Sequence, residues 1–144
     1  MQKLQFSIQI NAPREKVWKT MLEDATYRQW TSAFCEGSSY EGSWEEGSEI
    51  RFLSPGGDGM IARIAENRPH EFISIAHRGL ISKGVADTES EEAKSIAGAR
   101  ENYTFTEQNG TTTVTVEVDT SPEDAAMFEG MWPRALDQLK ALSE

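Results

Sequence analysis

The C-terminal segment from Ser121 onward constrains the fold most, because it is the longest stretch with helical periodicity. Its apolar residues recur every three or four positions, at Phe128, Trp132, Ala135, Leu139 and Leu142. Ser121 followed by Pro122 is typical of a helix start, and the acidic residues after them favour the helix dipole. Pro133 lies inside the pattern, so we expect a kink there. A sheet with an apolar face needs cover, and this helix is the only predicted element long enough to lie across one.

Most of the remaining chain consists of segments in which apolar and polar residues alternate, as they do in half-buried strands. Residues 3–10 are the first such segment. Residues 101–118 form the clearest hairpin, with Asn109-Gly110 as a two-residue turn. Turn residues bound the shorter predicted strands, which are residues 39–44, 48–53, 60–66 and 71–79. The pattern therefore predicts a largely antiparallel sheet.

Residues 11–30 interrupt the alternation and predict two short helices after the first strand. An apolar stripe at helical spacing comprises Val17, Trp18, Met21 and Leu22. Pro13 suits the first helical position, and Asn11 is the best candidate for the cap. Asp24 is the candidate cap of the second helix, which runs through residues 25–30 and leaves Trp30 at its end.

Residues 81–99 do not alternate, and two interpretations of them remain open. Thr88 followed by Glu91 is a capping-box pattern, which predicts a short helix in a loop over one end of the sheet. The alternative is a solvated connection without packing of its own.

Composition excludes several classes of function. The chain has 144 residues, which suits one domain spanning 1–144, and a net charge of −10. An acidic chain offers no basic surface for nucleic acid and is repelled by an anionic membrane. Cys35 is the single cysteine, no apolar run could span a membrane, and the N-terminus has no apolar signal core. We therefore expect a cytoplasmic protein without nucleic-acid or membrane partners.

The sequence offers few candidates for catalysis. His70 lies in a turn and is expected to be solvated, and Cys35 has no neighbouring histidine. His77 ends a strand, where a histidine is more often a hydrogen-bonded structural residue than a catalyst. No residues have metal-ligand spacing, and residues 54–59 lack the lysine of a phosphate-binding loop. We therefore predict no catalytic residue, no metal and no cofactor.

Four segments together resemble a known group of proteins: "INAPREKVW", "EGSWEEGSEIRF", "ARENYTF" and "WPRALDQLKAL". From Gln5 to Leu142 the chain is similar to the SRPBCC (START-like, helix-grip) superfamily. Within it, the chain most resembles the group named for the C-terminal domain of the activator of heat-shock protein 90 ATPase. The resemblance implies an α+β helix-grip fold, in which a curved antiparallel sheet wraps around a long C-terminal helix and two short helices follow the first strand.

The resemblance also implies a cavity between the C-terminal helix and the sheet. The residues expected to line it are Trp30, Phe52, Ala62, Ile64, Ile75, His77, Tyr103, Phe105, Phe128 and Trp132. His77, Tyr103 and Arg63 would supply polar contacts, Trp18 would belong to the core, and Trp30 would stand near the cavity entrance. From the residues alone, the aromatic side chains favour plain core over a cavity wall, because apolar stripes are normally just buried.

Three functions follow as expectations. The first is non-enzymatic binding of a small apolar or amphipathic molecule in the cavity. The second is a chaperone-associated module, as the resemblance to the activator of heat-shock protein 90 ATPase implies. The third is an enzyme of cyclase or hydrolase type, which would need an acid–base pair that the sequence does not reveal.

Overall fold

The computed structural model describes residues 1–144. Its strands are β1 (Gln2–Ile10), β2 (Ser39–Gly42), β3 (Glu49–Leu53), β4 (Gly59–Arg68), β5 (Phe72–Ser82), β6 (Val85–Asp87), β7 (Arg100–Gln108) and β8 (Thr111–Thr120). Its helices are α1 (Arg14–Leu22), α2 (Asp24–Trp30), α3 (Glu91–Ile96) and α4 (Pro122–Ser143), and a 3-10 turn, Thr31–Ala33, follows α2.

All strands belong to one antiparallel sheet of eight strands in the order β1-β8-β7-β5-β4-β3-β2, with β6 paired to β5. The hairpin from β7 to β8 turns at Asn109-Gly110, as predicted. Register shifts interrupt the pairing of β4 with β5 after Ile61 and after Ile64. Such bulges bend a sheet, so the long central hairpin curves around the helix. The predicted α+β helix-grip architecture is confirmed.

Helix α4 lies across the sheet and buries the face that its periodicity predicts. Trp132, Ala135 and Leu139 are buried, and the helix packs against β1, α1 and α2. Pro133 is exposed and lies within one continuous helix of 22 residues. Pro133 therefore does not end the helix, and the kink expected there remains a prediction. No helix of the protein is both long and apolar enough to traverse a lipid bilayer.

The start of α1 is stabilised by distant residues and not by a local cap. Pro13 occupies the N-cap position without a side-chain hydrogen bond, so the prediction of Asn11 as cap is wrong. The prediction of Asp24 as the cap of α2 is also wrong, because Asp24 is the first residue of that helix and Glu23 occupies its N-cap position. At the start of α1, the Arg14 amide instead donates to Oε1 of Glu107 on β7, at 2.7 Å. The Asn11 amide likewise donates to Oε2 of Glu144, at 2.7 Å. A carboxylate at a helix N-terminus accepts hydrogen bonds from the free amides and interacts favourably with the helix dipole. It can do so whether it is near or distant in the chain.

Residues 81–99 continue from β5, turn back and pack against it. Strand β5 runs on to Ser82, turns at Lys83-Gly84 and pairs with the short exposed strand β6, which the sequence did not predict. Helix α3 then packs on β5 and buries Ala93 completely, so the solvated alternative is wrong. Its cap is Ser90, whose hydroxyl accepts from the Ala93 amide, and not Thr88.

Candidate functional site

A partly enclosed cavity of about 220 Å³ lies between α4, α2 with its following turn, and strands β3, β4 and β7. Seven of its 15 lining residues are aromatic: Tyr27, Trp30, Phe34, Phe52, Tyr103, Phe128 and Trp132. Leu53, Gly59 and Met60 complete the apolar lining. The polar lining residues are Thr31, Ser38, Ser39, Ser54 and Glu101. The cavity is thus apolar over most of its surface and carries one ionisable carboxyl group.

Trp132 of α4 is the centre of the aromatic wall. Its ring centroid lies 4.9 Å from that of Phe34, 6.0 Å from that of Trp30 and 6.0 Å from that of Tyr103. The indole of Trp30 is fixed in turn, because its Nε1 donates to the Met21 carbonyl at 3.0 Å. Aromatic rings at these separations make favourable edge and tilted contacts, so the wall is held in place before anything binds.

Three polar side chains form a buried cluster at one side of the cavity. The hydroxyl of Tyr103 donates a short hydrogen bond to Oε2 of Glu101. Nε2 of His77 lies 3.3 Å from Oε1 of the same carboxyl group. Tyr103 and His77 are buried, whereas the Glu101 side chain is 21% exposed. Nδ1 of His77 is buried without a hydrogen-bond partner. Glu101 lines the cavity and His77 does not, so the carboxyl group of Glu101 connects the cavity to the buried imidazole of His77.

The two buried phenols of the cavity wall stay protonated at neutral pH. Burial raises the pKa of Tyr103 well above its ordinary value, and the neighbouring charge of Glu101 raises it further. The pKa of Tyr27 is raised for the same reasons, burial first and then Glu101. Tyr103 consequently acts as a hydrogen-bond donor toward Glu101. No lysine or arginine lines the cavity, and the ion-pair contact of Glu101 is with His77 alone.

The structure divides the predicted lining residues into two groups. Trp30, Phe52, Tyr103, Phe128 and Trp132 line the cavity. The others lie in the buried interior outside its wall: Ala62, Ile64, Ile75, His77 and Phe105.

Two expectations about single side chains, those for Arg63 and Trp30, are wrong, and two, those for Trp18 and His70, hold only in part. Arg63 is exposed on the outer face of β4, so it offers no contact inside. Trp18 is only half-buried and lines a separate, wider groove. Trp30, expected near the entrance, is 1% exposed and is the more deeply buried of the two indoles. The half-buried indole packs edge-on against Phe105 and His70, so His70 is not fully solvated.

The sequence contained signals for several lining residues that were not predicted. Glu101 precedes Tyr103 and Phe105 with the same alternation, which places its side chain on the inner face of β7. Tyr27 and Phe34 lie three positions before and four positions after the predicted Trp30, which is the spacing of one helical face. Ser38 and Ser54 lie in irregular segments, and only the tertiary structure brings these segments beside the cavity.

The cluster also bears on catalysis. It places His77 beside Glu101, a contact that the sequence did not reveal, although His77 lies outside the cavity wall. The lining serines do not contact this pair: the Ser38 hydroxyl donates to the Cys35 carbonyl and the Ser54 hydroxyl to the Asp58 carbonyl. No group of three histidine, cysteine, aspartate or glutamate side chains is arranged to hold a metal ion.

Solved structures with the same architecture include three bacterial proteins. Protein MLL2253 from Mesorhizobium loti superposes with a TM-score of 0.73 at 14% identity, over 98% of this chain and 96% of that one. The Aha1 dimer from Colwellia psychrerythraea superposes with a TM-score of 0.71 at 18% identity, over 99% of this chain and 97% of that one. CalU16 from Micromonospora echinospora superposes with a TM-score of 0.68 at 17% identity, over 99% of this chain and 76% of that one. At these identities the likeness establishes the fold alone.

Sequence comparison identifies the family. Comparison with curated proteins gives no significant match. The family model described as "Activator of Hsp90 ATPase homolog 1-like protein" matches residues 11–144, from the segment before α1 to the end of α4. That range contains the whole cavity wall. With nearly the full length matched and the helix-grip fold in common with an Aha1 structure, the chain belongs to the Activator of Hsp90 ATPase homolog 1-like family.

Proposed function

We propose that this protein binds a small, mostly apolar molecule in the aromatic cavity, in the cytoplasm and without catalysing a reaction. The observation that carries the proposal is the cavity itself, about 220 Å³ in volume with seven aromatic residues in its wall. Binding sites for small molecules are typically concave and apolar, with a small number of polar groups that fix orientation. The cavity of this protein has that composition.

The size of the cavity limits the ligand. Pockets for drug-sized molecules have volumes of roughly 300–1,000 Å³. An engineered apolar cavity of about 150 Å³ in another protein accommodates benzene. A cavity of about 220 Å³ therefore suits a molecule with one ring or a short branched chain, and not a long fatty acid.

The hydroxyl groups favour binding over catalysis. A serine nucleophile would need a base within hydrogen-bond reach. The Ser38 and Ser54 hydroxyls donate to backbone carbonyls instead, and Ser39, the third lining serine, has no hydrogen bond to Glu101 or His77. Tyr103 is the lining hydroxyl that contacts Glu101, and its raised pKa makes it a weak nucleophile. The polar cluster is therefore better suited to orient a ligand than to attack one.

The proposal is tested with fluorobenzene as the probe, observed by fluorine NMR with the native protein. We expect saturable binding, and we expect Met60→Trp to abolish it, because Met60 lines the cavity and an indole there would fill the space. Met127→Trp is the matched control, since Met127 is 46% exposed on α4 outside the cavity. Near-UV circular dichroism must stay intact in both variants. Absence of saturable binding, or equal binding by the two variants, would refute the proposal.

A second function, association with a chaperone, is favoured by the family to which the chain belongs. An Aha1 protein also shares the fold over nearly its full length. The test is a titration of Hsp90 with this protein, followed by analytical ultracentrifugation and by measurement of the rate of ATP hydrolysis. Sedimentation of the two proteins in one boundary, together with faster ATP hydrolysis, would support association. Independent sedimentation of the two proteins would exclude it.

A further inference from the structure

We propose that the ligand of the cavity is a small organic cation, namely an alkyl- or arylammonium ion with an apolar body. This inference rests on the proposed binding function and adds the class of ligand. The geometry that points to it is a carboxylate without a lysine or arginine partner, at the wall of a cavity otherwise made of aromatic rings.

The carboxylate of Glu101 lacks full charge compensation within the protein. Its side chain is only 21% exposed, and it accepts from the neutral hydroxyl of Tyr103. No lysine or arginine lies within ion-pair distance. Charged groups removed from water are normally paired, because desolvation costs far more than a neutral hydrogen bond restores. A cationic ligand in the cavity would supply the missing partner.

His77 does not remove this charge when it carries its hydrogen on Nε2. In that tautomer His77 donates to Oε1 of Glu101, at 3.3 Å. Nδ1 is buried and has no partner, so a second hydrogen there would find no acceptor. With its hydrogen on Nε2, the imidazole thus gives the carboxyl group a single hydrogen bond. The carboxylate retains lone pairs that an ammonium group can use.

The aromatic wall suits the same class of ligand. Tyr103 joins the carboxylate to the ring cluster around Trp132, whose centroid lies 6.0 Å from its own. The faces of aromatic rings carry partial negative charge and attract cations, most strongly for tryptophan. A cavity with several such rings and one carboxylate favours an ammonium group over an anion, and its apolar lining accommodates the hydrocarbon body. The overall charge of −10 would also draw cations toward the protein.

The test compares three single-ring compounds of similar size at neutral pH. Benzylamine is protonated, benzyl alcohol is its neutral analogue, and benzoate is an anion. Affinities are measured by NMR titration, with the indole Nε1–H signals of Trp30 and Trp132 as reporters of cavity occupancy. We expect benzylamine to bind about 10- to 100-fold more tightly than benzyl alcohol, the range for a charge-assisted hydrogen bond, and benzoate to bind more weakly than either.

The variant Glu101→Gln tests the contribution of the carboxylate to binding apart from that of the other cavity residues. We expect this variant to bind benzylamine no better than benzyl alcohol, with the affinity for benzyl alcohol retained. Glu41→Gln is the matched control, because it makes the same change in net charge at an exposed residue of β2 that has no ion pair. It should keep the preference for the amine.

The outcomes for the native protein distinguish the two proposals even if Glu101→Gln does not fold. Equal affinity for the amine and the alcohol, or tighter binding of benzoate, would overturn the cation inference and leave the binding function standing. If none of the compounds bound, the binding function and the inference would both be overturned. Preference for benzylamine that survived in folded Glu101→Gln would also overturn the inference.

Discussion

At the scale of single residues, Trp132 and Tyr103 do most to define the interior. Trp132 connects α4 to α2 and β7 through its ring contacts, and it is 3% exposed. Tyr103 is the point where the aromatic wall meets the polar cluster. Both belong to the interior through helical or strand periodicity, but their joint role depends on packing between distant elements.

Replacing Trp132 with alanine should lower the free energy of unfolding by about 3–5 kcal/mol, the range for large aromatic residues in cores. Chemical denaturation measures this loss. Met127→Ala on the exposed side of the same helix should change the free energy of unfolding by less than about 0.5 kcal/mol. A loss below about 1 kcal/mol for Trp132→Ala would contradict the buried position of the indole.

The raised pKa values of Tyr27 and Tyr103 predict a loss of stability in alkali. Below the unfolded-state pKa of about 10, both states hold the phenol protons and stability is unaffected. Above it, the unfolded chain releases protons that the folded protein retains, so the free energy of unfolding falls by about 1.4 kcal/mol per pH unit and tyrosine. Denaturant titrations between pH 9 and 11 measure the slope.

Tyr27→Phe provides the control for this slope, because it removes one phenol that burial keeps protonated. The variant should lose stability less steeply than the native protein as the pH rises. An unchanged slope would mean that Tyr27 ionises equally well in the folded and unfolded states.

At the scale of elements, helix starts in this fold are stabilised in two ways. Helix α4 has a local cap, since the Ser121 hydroxyl accepts from the Asp124 amide. Helix α1 has none and depends on Glu107 at the far end of β7. The local cap follows from adjacent residues, whereas the distant one requires that β7 and α1 already lie side by side.

Glu107→Ala should therefore lower the free energy of unfolding by about 0.5–2 kcal/mol, as removal of a helix cap does. Gln108→Ala, at the exposed end of the same strand, should have almost no effect. Hydrogen exchange locates the change: the amide of Arg14 should exchange faster in Glu107→Ala. Unchanged exchange there would show that the carboxylate does not serve as a cap.

At the scale of the whole molecule, the sheet and α4 enclose one apolar core, and the cavity lies where that core is incomplete. The core holds the fold without covalent cross-links, because Cys35 is the single cysteine and is exposed and free. Stability should then depend on packing and not on redox conditions.

Thermal unfolding should accordingly give the same midpoint with and without reductant, in samples shown by gel to lack intermolecular disulfides. Cys35→Ser should unfold like the native protein, since the thiol is at the surface. A shift of several degrees between the two redox conditions in such a sample would contradict an inert thiol.

Local patterns in the sequence determined the elements and the faces that they bury. The alternation in β7 and β8 and the periodicity of α4 reflect a local requirement, because each element must hide its apolar side from water. Tertiary structure alone decided which buried residues line the cavity. Tyr103 lines it, whereas Phe105, on the same face of the same strand, does not. It also brought His77 and Glu101 together, through the pairing of β5 with β7. Such contacts depend on strand register and helix placement, which a single sequence does not encode locally.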